Sequence, residues 1–161
     1  MNGAQIHLLL NHIPILGALF GLVLLVFGLL RANRSLTQAA LLTFIVAALI
    51  TIPVDRSGEA AEEILEEKYE AQVSHDLIHE HEEMAELSVA LMLALGALSL
   101  LAFYFSWRKH RFATLASSSV LVLALVVFFM MARTGHSGGL IRHPELLQST
   151  PSPPASSQDD D

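Results

Sequence analysis

Cysteine is absent from this chain of 161 residues, so the protein holds no disulfide bond and no thiolate ligand. Any bound metal must therefore be held by histidine, carboxylate or methionine. Charge is also absent from four long stretches, residues 13–30, 35–54, 87–107 and 112–132. Each is close to the roughly 20 residues with which a helix crosses about 30 Å of hydrocarbon. Because a backbone in lipid must satisfy its own hydrogen bonds, the sequence predicts four membrane-spanning helices.

Acidic residues are missing from two short loops, which carry five basic ones: Arg31, Arg34, Arg108, Lys109 and Arg111. All 16 acidic residues, and every histidine except His110, fall at the opposite ends of the charge-free stretches. Lys and Arg in short loops stay on the cytoplasmic side of a membrane. The sequence therefore predicts an all-α, integral membrane, up-down four-helix bundle with both termini outside the cytoplasm.

The predicted domain covers residues 1–147, with spans at about 11–30, 35–53, 84–107 and 112–132. Pro53 disfavours helix at the residue before it, so the second span is expected to end there. Residues 57–72 alternate apolar side chains with glutamates, which predicts an extra-cytoplasmic amphipathic acidic helix lying across the top of the bundle. Residues 148–161 are rich in Pro and Ser and are expected to form a disordered tail.

Histidines occur at the outer ends of three of the four spans. They are His7 and His12 on the first span, His79 and His81 before the third, and His136 and His143 after the fourth. His7 and His12 are about 140° apart on a helix, so one straight helix would not direct both at one ion. His12 lies nearer the span and two residues before Pro14, and it is preferred over His7 as a ligand.

The segment before the third span offers two helical faces with different chemistry. His79, Glu82 and Glu86 share one face, where imidazole and carboxylates can converge on a divalent metal. His81 shares the other face with the small residues Ala85 and Ser88, which leaves room for a flat macrocycle. The first face predicts a non-haem iron, copper or zinc site completed by His136 or His12, and the second predicts haem.

Three glycines, Gly135, Gly138 and Gly139, surround the histidine after the fourth span. They predict a segment that folds back over the bundle mouth and places His136 above the site. Arg133 and Arg142 lie in the same segment and could pair with haem propionates.

Imidazoles from separate helices in an apolar bundle provide the two neutral axial nitrogens that haem iron binds. The prediction is one haem b near the periplasmic face. His12 and His81 are the preferred axial pair, and His79 and His136 are the substitutes. His7 and His143 complete the set of candidate cofactor-binding histidines.

Two motifs carry a resemblance, His12-Ile13-Pro14-Ile15 and Gly135-His136-Ser137-Gly138-Gly139-Leu140. Together with the His-bearing start of the third span, they resemble a family of small bacterial four-helix membrane proteins catalogued as a domain of unknown function. That family resembles the b-type cytochrome bundles, which implies a haem-binding or redox role. The resemblance covers residues 6 to about 146.

Three functions remain open on these observations: a b-type haem electron-transfer protein or redox-complex subunit, a non-haem metal-binding protein, and a cofactor-free structural or assembly subunit. No nucleophile and base occur at a recognisable spacing, and no phosphate-binding Gly loop or large basic patch is present, so neither catalysis nor nucleic-acid binding is expected. The expected partners are the lipid bilayer and a periplasmic redox protein or respiratory-type complex. Gly17, Gly21 and Gly28 predict a packing seam, either within the bundle or with a second copy of the chain.

Overall fold

The computed structural model describes residues 3–69 and 75–142, and the regular structure in these residues is entirely helical. The helices are α1 (Gly3–Leu10), α2 (His12–Leu30), α3 (Arg34–Tyr69), α4 (His75–Trp107) and α5 (Ala113–Arg142). The pair α1 and α2 forms the first of four long helices, each long and apolar enough to cross a membrane. The predicted all-α, multi-pass architecture is confirmed at this level.

Two tight turns join the helices into two hairpins, α1/α2 with α3 and α4 with α5. Each turn contains one residue with left-handed backbone, Ala32 at φ 47° and Lys109 at φ 52°. In each turn, the residue after the left-handed one donates its backbone N–H to the carbonyl five residues before it, Asn33 to Gly28 and His110 to Phe105. Asn33 then caps α3, because its Oδ1 accepts the backbone N–H of Leu36 at 3.0 Å.

Proline affects the first and third helices differently. The first helix is interrupted at Asn11, where Pro14 provides no N–H for the carbonyl of Leu10 and its ring crowds that carbonyl. By contrast, α3 continues through Pro53, so the proline does not end the helix there. Val54 is buried just beyond this proline, and such packing compensates for one missing backbone bond.

The acidic segment is a direct continuation of α3 as far as Tyr69, which contradicts the expectation of a separate helix across the bundle. Residues 70–72 of the predicted acidic helix lie outside the described residues. The glycine segment is also helical, since α5 runs unbroken to Arg142. The prediction that it folds back over the bundle mouth is wrong, because Ser137 and Thr134 hold it against α4 through hydrogen bonds.

The long helices form a closed ring in which α2 and α4 each pack against both α3 and α5. Small and apolar side chains fill the axis: Ala18, Leu25, Ala40, Leu41, Phe44, Met92, Leu95, Ala102, Val120, Ala124 and Val127. The outward faces also carry large apolar side chains, among them Phe20, Leu30, Leu49, Leu115, Val122 and Phe129. An apolar exterior of this extent fits a lipid surround rather than water.

The glycine seam on α2 lies against α3 inside the bundle. A Cβ added to Gly21 would lie 2.5 Å from the Phe44 ring, and one added to Gly17 would lie 2.8 Å from the Ala47 side chain. These close approaches show that the predicted packing seam joins two helices of the same chain.

Candidate functional site at the histidine end of the bundle

The two ends of the bundle differ in chemistry. The turn end contains the two turns at residues 31–33 and 108–112, and it carries the basic loops. The histidine end is the opposite one, where α1 and the outer parts of α3, α4 and α5 meet. Polar contacts there join α1 to α3 and α4 to α5.

His7 of α1 is half-buried against α3. Its Nδ1 lies 3.1 Å from the carbonyl oxygen of Val54, and because a carbonyl only accepts, Nδ1 carries the proton and donates. Ser57 Oγ donates to the same carbonyl at 2.7 Å and lies 3.4 Å from the ring nitrogen. In the neutral imidazole this tautomer leaves Nε2 with an unprotonated lone pair.

His81 of α4 is held in the same way by α5. Its Nδ1 lies 2.9 Å from Ser137 Oγ, whose own hydrogen is donated to the carbonyl of Thr134 at 2.9 Å. The serine oxygen is therefore the acceptor and Nδ1 the donor, so Nε2 again carries the lone pair. Within the described part of the chain, no group is hydrogen-bonded to Nε2 of His7 or of His81.

Each of the two imidazoles also rests on a glycine. A Cβ on Gly58 would lie 3.2 Å from Cε1 of His7, and a Cβ on Gly138 would lie 3.0 Å from Cε1 of His81. Both distances are below ordinary van der Waals contact, so a larger residue at either position would push its ring away.

The two histidine environments are equivalent parts of a repeat. In each hairpin the first helix supplies the histidine, and the second supplies a carbonyl followed three and four residues later by Ser and Gly. Residues 54, 57 and 58 form one such set, and residues 134, 137 and 138 form the other. The matching left-handed turns and the closed packing ring agree with an approximate two-fold relation between the hairpins.

The two imidazoles interact electrostatically across this end of the bundle. His81 precedes the charge-free stretch 87–107, on the part of α4 that carries glutamates. Burial lowers the pKa of His81 below its ordinary value of 6.5, and the charge of a protonated His7 lowers it further. A hydrogen bond with the Thr134 backbone acts in the opposite direction. The net effect favours the neutral imidazole, which is the form that binds metals.

Below His81, a layer of hydroxyl groups joins α4 to α5. Thr134 Oγ1 lies 3.2 Å from the Met84 carbonyl and 3.1 Å from the Met130 carbonyl, and Ser88 Oγ lies 2.8 Å from the same hydroxyl. Ser88 is only 1 % exposed, so this bond lies in the bundle interior. The layer fixes the position of α5 against α4, and with it the position of Ser137.

The other predicted ligands lie on the surface of this end. His12 is exposed and its Nδ1 contacts Asn11 Oδ1, and His136 is exposed as well. His79 is 73 % exposed and lies 3.7 Å from Glu82, and Glu86 is also exposed. Among the described residues, no three His, Asp or Glu side chains come together as a metal site.

The remaining candidates are two arginines and one histidine. Arg133 is exposed on α5, Arg142 ends that helix, and His143 lies outside the described residues. Of the candidate histidines, His7 is the one whose charge acts on His81, although it ranked behind His12 on sequence.

One sequence signal could have identified His7 and its support. Ser-Gly occurs only twice in the chain, at 57–58 and 137–138, and each time follows the second charge-free stretch of a hairpin.

Comparison with protein-family models, with curated proteins and with solved structures found no match to this chain.

Proposed function

We propose that this protein is a membrane-bound b-type haem electron-transfer protein, or the haem-bearing subunit of a redox complex, with His7 and His81 as axial ligands. The observation that carries the proposal is the matched pair of imidazoles, each with Nδ1 hydrogen-bonded and Nε2 unpaired. A bis-histidine haem requires two neutral imidazoles from different helices, each offering one ring nitrogen. His7 takes the role for which sequence preferred His12, because His12 is exposed and bonded to Asn11.

The donor set and its surroundings fit haem b. Two nitrogen ligands suit haem iron, whose other four ligands come from the porphyrin. Gly58 and Gly138 allow the two rings to pack directly against helix backbone, and Arg133 provides an exposed guanidinium for a propionate. When bound, haem supplies a one-electron redox couple.

The chain's own contribution is to orient the two rings. The Val54 carbonyl accepts a hydrogen bond from Nδ1–H of His7, and the Ser137 hydroxyl accepts one from Nδ1–H of His81. These bonds fix the orientation of each ring and raise the basicity of its Nε2. By contrast, a non-haem site of His79, Glu82, Glu86 and His136 has no comparable support, since no three such ligands converge among the residues described.

The proposal places the histidine end at the periplasmic face of a bacterial inner membrane, with both termini on that side. Its support is the basic turn end, since short basic loops remain cytoplasmic. Exposed glutamates near His81, such as Glu80 and Glu83, would attract a basic redox partner. The resemblance to the four-helix family and to b-type cytochrome bundles belongs to the same proposal.

The test is the absorption spectrum of the full chain purified in detergent, directly and after incubation with haemin. The expected result is a Soret band that sharpens and shifts on reduction with dithionite. His7→Ala and His81→Ala are each expected to lose the six-coordinate, bis-histidine spectrum, because each removes one axial nitrogen. His12→Ala and His79→Ala are the matched controls, since both remove exposed imidazoles from the same end, and both are expected to retain it.

Two outcomes contradict the proposal. A chain that stays colourless after haemin incubation does not bind haem, and elemental analysis then reports whether it binds iron, copper or zinc instead. If the protein is coloured, and His12→Ala loses the haem spectrum while His7→Ala keeps it, then His12 rather than His7 is the ligand and the assignment of His7 is wrong.

A further inference from the structure

The turn end of the bundle contains a cavity that the proposed haem site does not use. It has a volume of about 400 Å³ and lies between the two turns. Ala32 and Arg34 line it from the first hairpin, and Lys109 and His110 line it from the second. The cavity therefore exists only where the two hairpins meet.

Two buried hydroxyl groups line this cavity without a hydrogen-bond partner. Ser106 is 5 % exposed and Ser117 is 2 % exposed, and neither side chain is hydrogen-bonded to any group in the described residues. Their oxygens are open to the cavity, since the one fully enclosed side-chain oxygen without a partner among the described residues is Ser99 Oγ. A hydroxyl that lines a cavity and has no protein partner can bond to water or to a ligand there. Both hydroxyls are available to donate to a ligand oxygen.

Positive charge surrounds the same cavity. Arg34, Lys109 and His110 are exposed residues of its lining, and the sequence has no acidic residue in 1–54 or 87–144. The first turns of α3 and α5 line it together with the last turns of α2 and α4, so the opposite partial charges of the helix ends offset each other and the positive charge comes from the side chains. Nη2 of Arg34 donates to the Trp107 carbonyl at 2.7 Å, which ties this guanidinium to the opposite hairpin.

We propose that this cavity binds the phosphate group of an anionic phospholipid, with Ser106, Ser117 and Lys109 as its ligands. Hydroxyl and cationic donors converging on a small cavity suit phosphate oxygens, and basic pockets between transmembrane helices on the cytoplasmic side bind such headgroups. Leu30 and Trp107, exposed by 78 % and 64 %, follow the lining residues Leu29 and Ser106 in sequence and provide an apolar surface for acyl chains at the same end of the bundle. Lipid is therefore favoured over free phosphate, which shares only the headgroup chemistry.

The experiment measures lipid binding to the delipidated full chain in detergent by native mass spectrometry. The probes are phosphatidylglycerol, phosphatidylcholine with the same acyl chains, and inorganic phosphate. The expected result is one retained phosphatidylglycerol, bound at least about tenfold more tightly than phosphatidylcholine, because the anionic phosphate has no attached cation to compete with Lys109. Tight binding of inorganic phosphate with no gain from the acyl chains would overturn the lipid assignment.

Matched variants locate the binding site. Lys109→Gln and Ser117→Ala remove two proposed ligands, and each is expected to weaken phosphatidylglycerol binding by about tenfold. Arg108→Gln and Ser118→Ala change exposed neighbours of the same types outside the cavity lining, and they are expected to leave binding unchanged. Equal losses in variants and controls would show general surface attraction and overturn the proposal, as would unchanged binding in both cavity variants. The thermal midpoint of each unliganded variant identifies any loss of binding that is caused by misfolding.

Discussion

Replacing Gly138 by alanine tests whether the His81 ring is held as described. The adjacent Gly139 provides the control, because a Cβ there would meet nothing within 4 Å, whereas on Gly138 it would lie 3.0 Å from Cε1 and 3.4 Å from Nδ1 of the imidazole. Both positions are in α5. The intrinsic helix-forming gain from Gly to Ala, at most about 1 kcal/mol, is therefore common to both variants.

The difference between the variants comes from the imidazole. To accommodate the new methyl group at position 138, the ring must move by a few tenths of an ångström, which stretches its 2.9 Å bond to Ser137. Crowding of this kind costs about 1 to 3 kcal/mol, and a weakened hydrogen bond adds up to about 1 kcal/mol. Gly138→Ala is therefore expected to be about 1 to 4 kcal/mol less stable than Gly139→Ala.

The assay is thermal unfolding of the purified chains in one detergent, followed by circular dichroism. A chain of this size shifts by about 2 to 4 °C per kcal/mol, so the two midpoints should differ by several degrees. Adding His81→Ala to both variants should remove the difference, because the methyl group then enters the space that the ring has left. Equal midpoints for the two single variants would refute the packing of His81 on Gly138.

Three further predictions concern other parts of the chain. Gly28→Ala is expected to lower the free energy of unfolding by about 1 to 3 kcal/mol, because its Cβ would lie 2.8 Å from the backbone nitrogen of Thr37, which cannot rotate away; a thermal midpoint equal to wild type would contradict the α2/α3 seam. Ser137→Ala leaves Nδ1 of His81 without its hydroxyl acceptor and, under the haem proposal, is expected to weaken haemin affinity about tenfold. A haemin titration identical to that of the wild-type chain would show that Ser137 does not position the ring. Since the chain lacks cysteine, Glu83→Cys and Arg111→Cys can be labelled uniquely; an impermeant maleimide should modify only the first in intact spheroplasts, and the reverse pattern would invert the proposed orientation.

The helical architecture could be predicted from sequence because a membrane span depends on a local property, the absence of charge over about 20 residues. The ends of the helices could not. Pro14 interrupts the first long helix but Pro53 does not interrupt α3, and the two cases differ in what packs around the proline rather than in the proline itself. The Gly135 segment stays helical for the same reason, since its bonds to α4 are contacts between distant parts of the sequence.

The candidate site shows the same limit more clearly. His12 ranked above His7 because it lies closer to the charge-free stretch, yet the contacts that distinguish them are made by Val54 and Ser57, almost 50 residues away along the chain. Helical periodicity indicates which residues share one face of a helix. It does not indicate which face turns towards a second helix, and that orientation decides which imidazole is bonded through Nδ1.

The repeat has a consequence for how the molecule is assembled. Each hairpin holds one imidazole in place through its own hydrogen bonds. Neither hairpin alone contains both His7 and His81, so neither alone offers two Nε2 lone pairs. In a bilayer, helices insert first and associate afterwards. Under the haem proposal, a ligand held by both His7 and His81 is fully coordinated only after the hairpins have docked, and its loading then reports the final step of biogenesis.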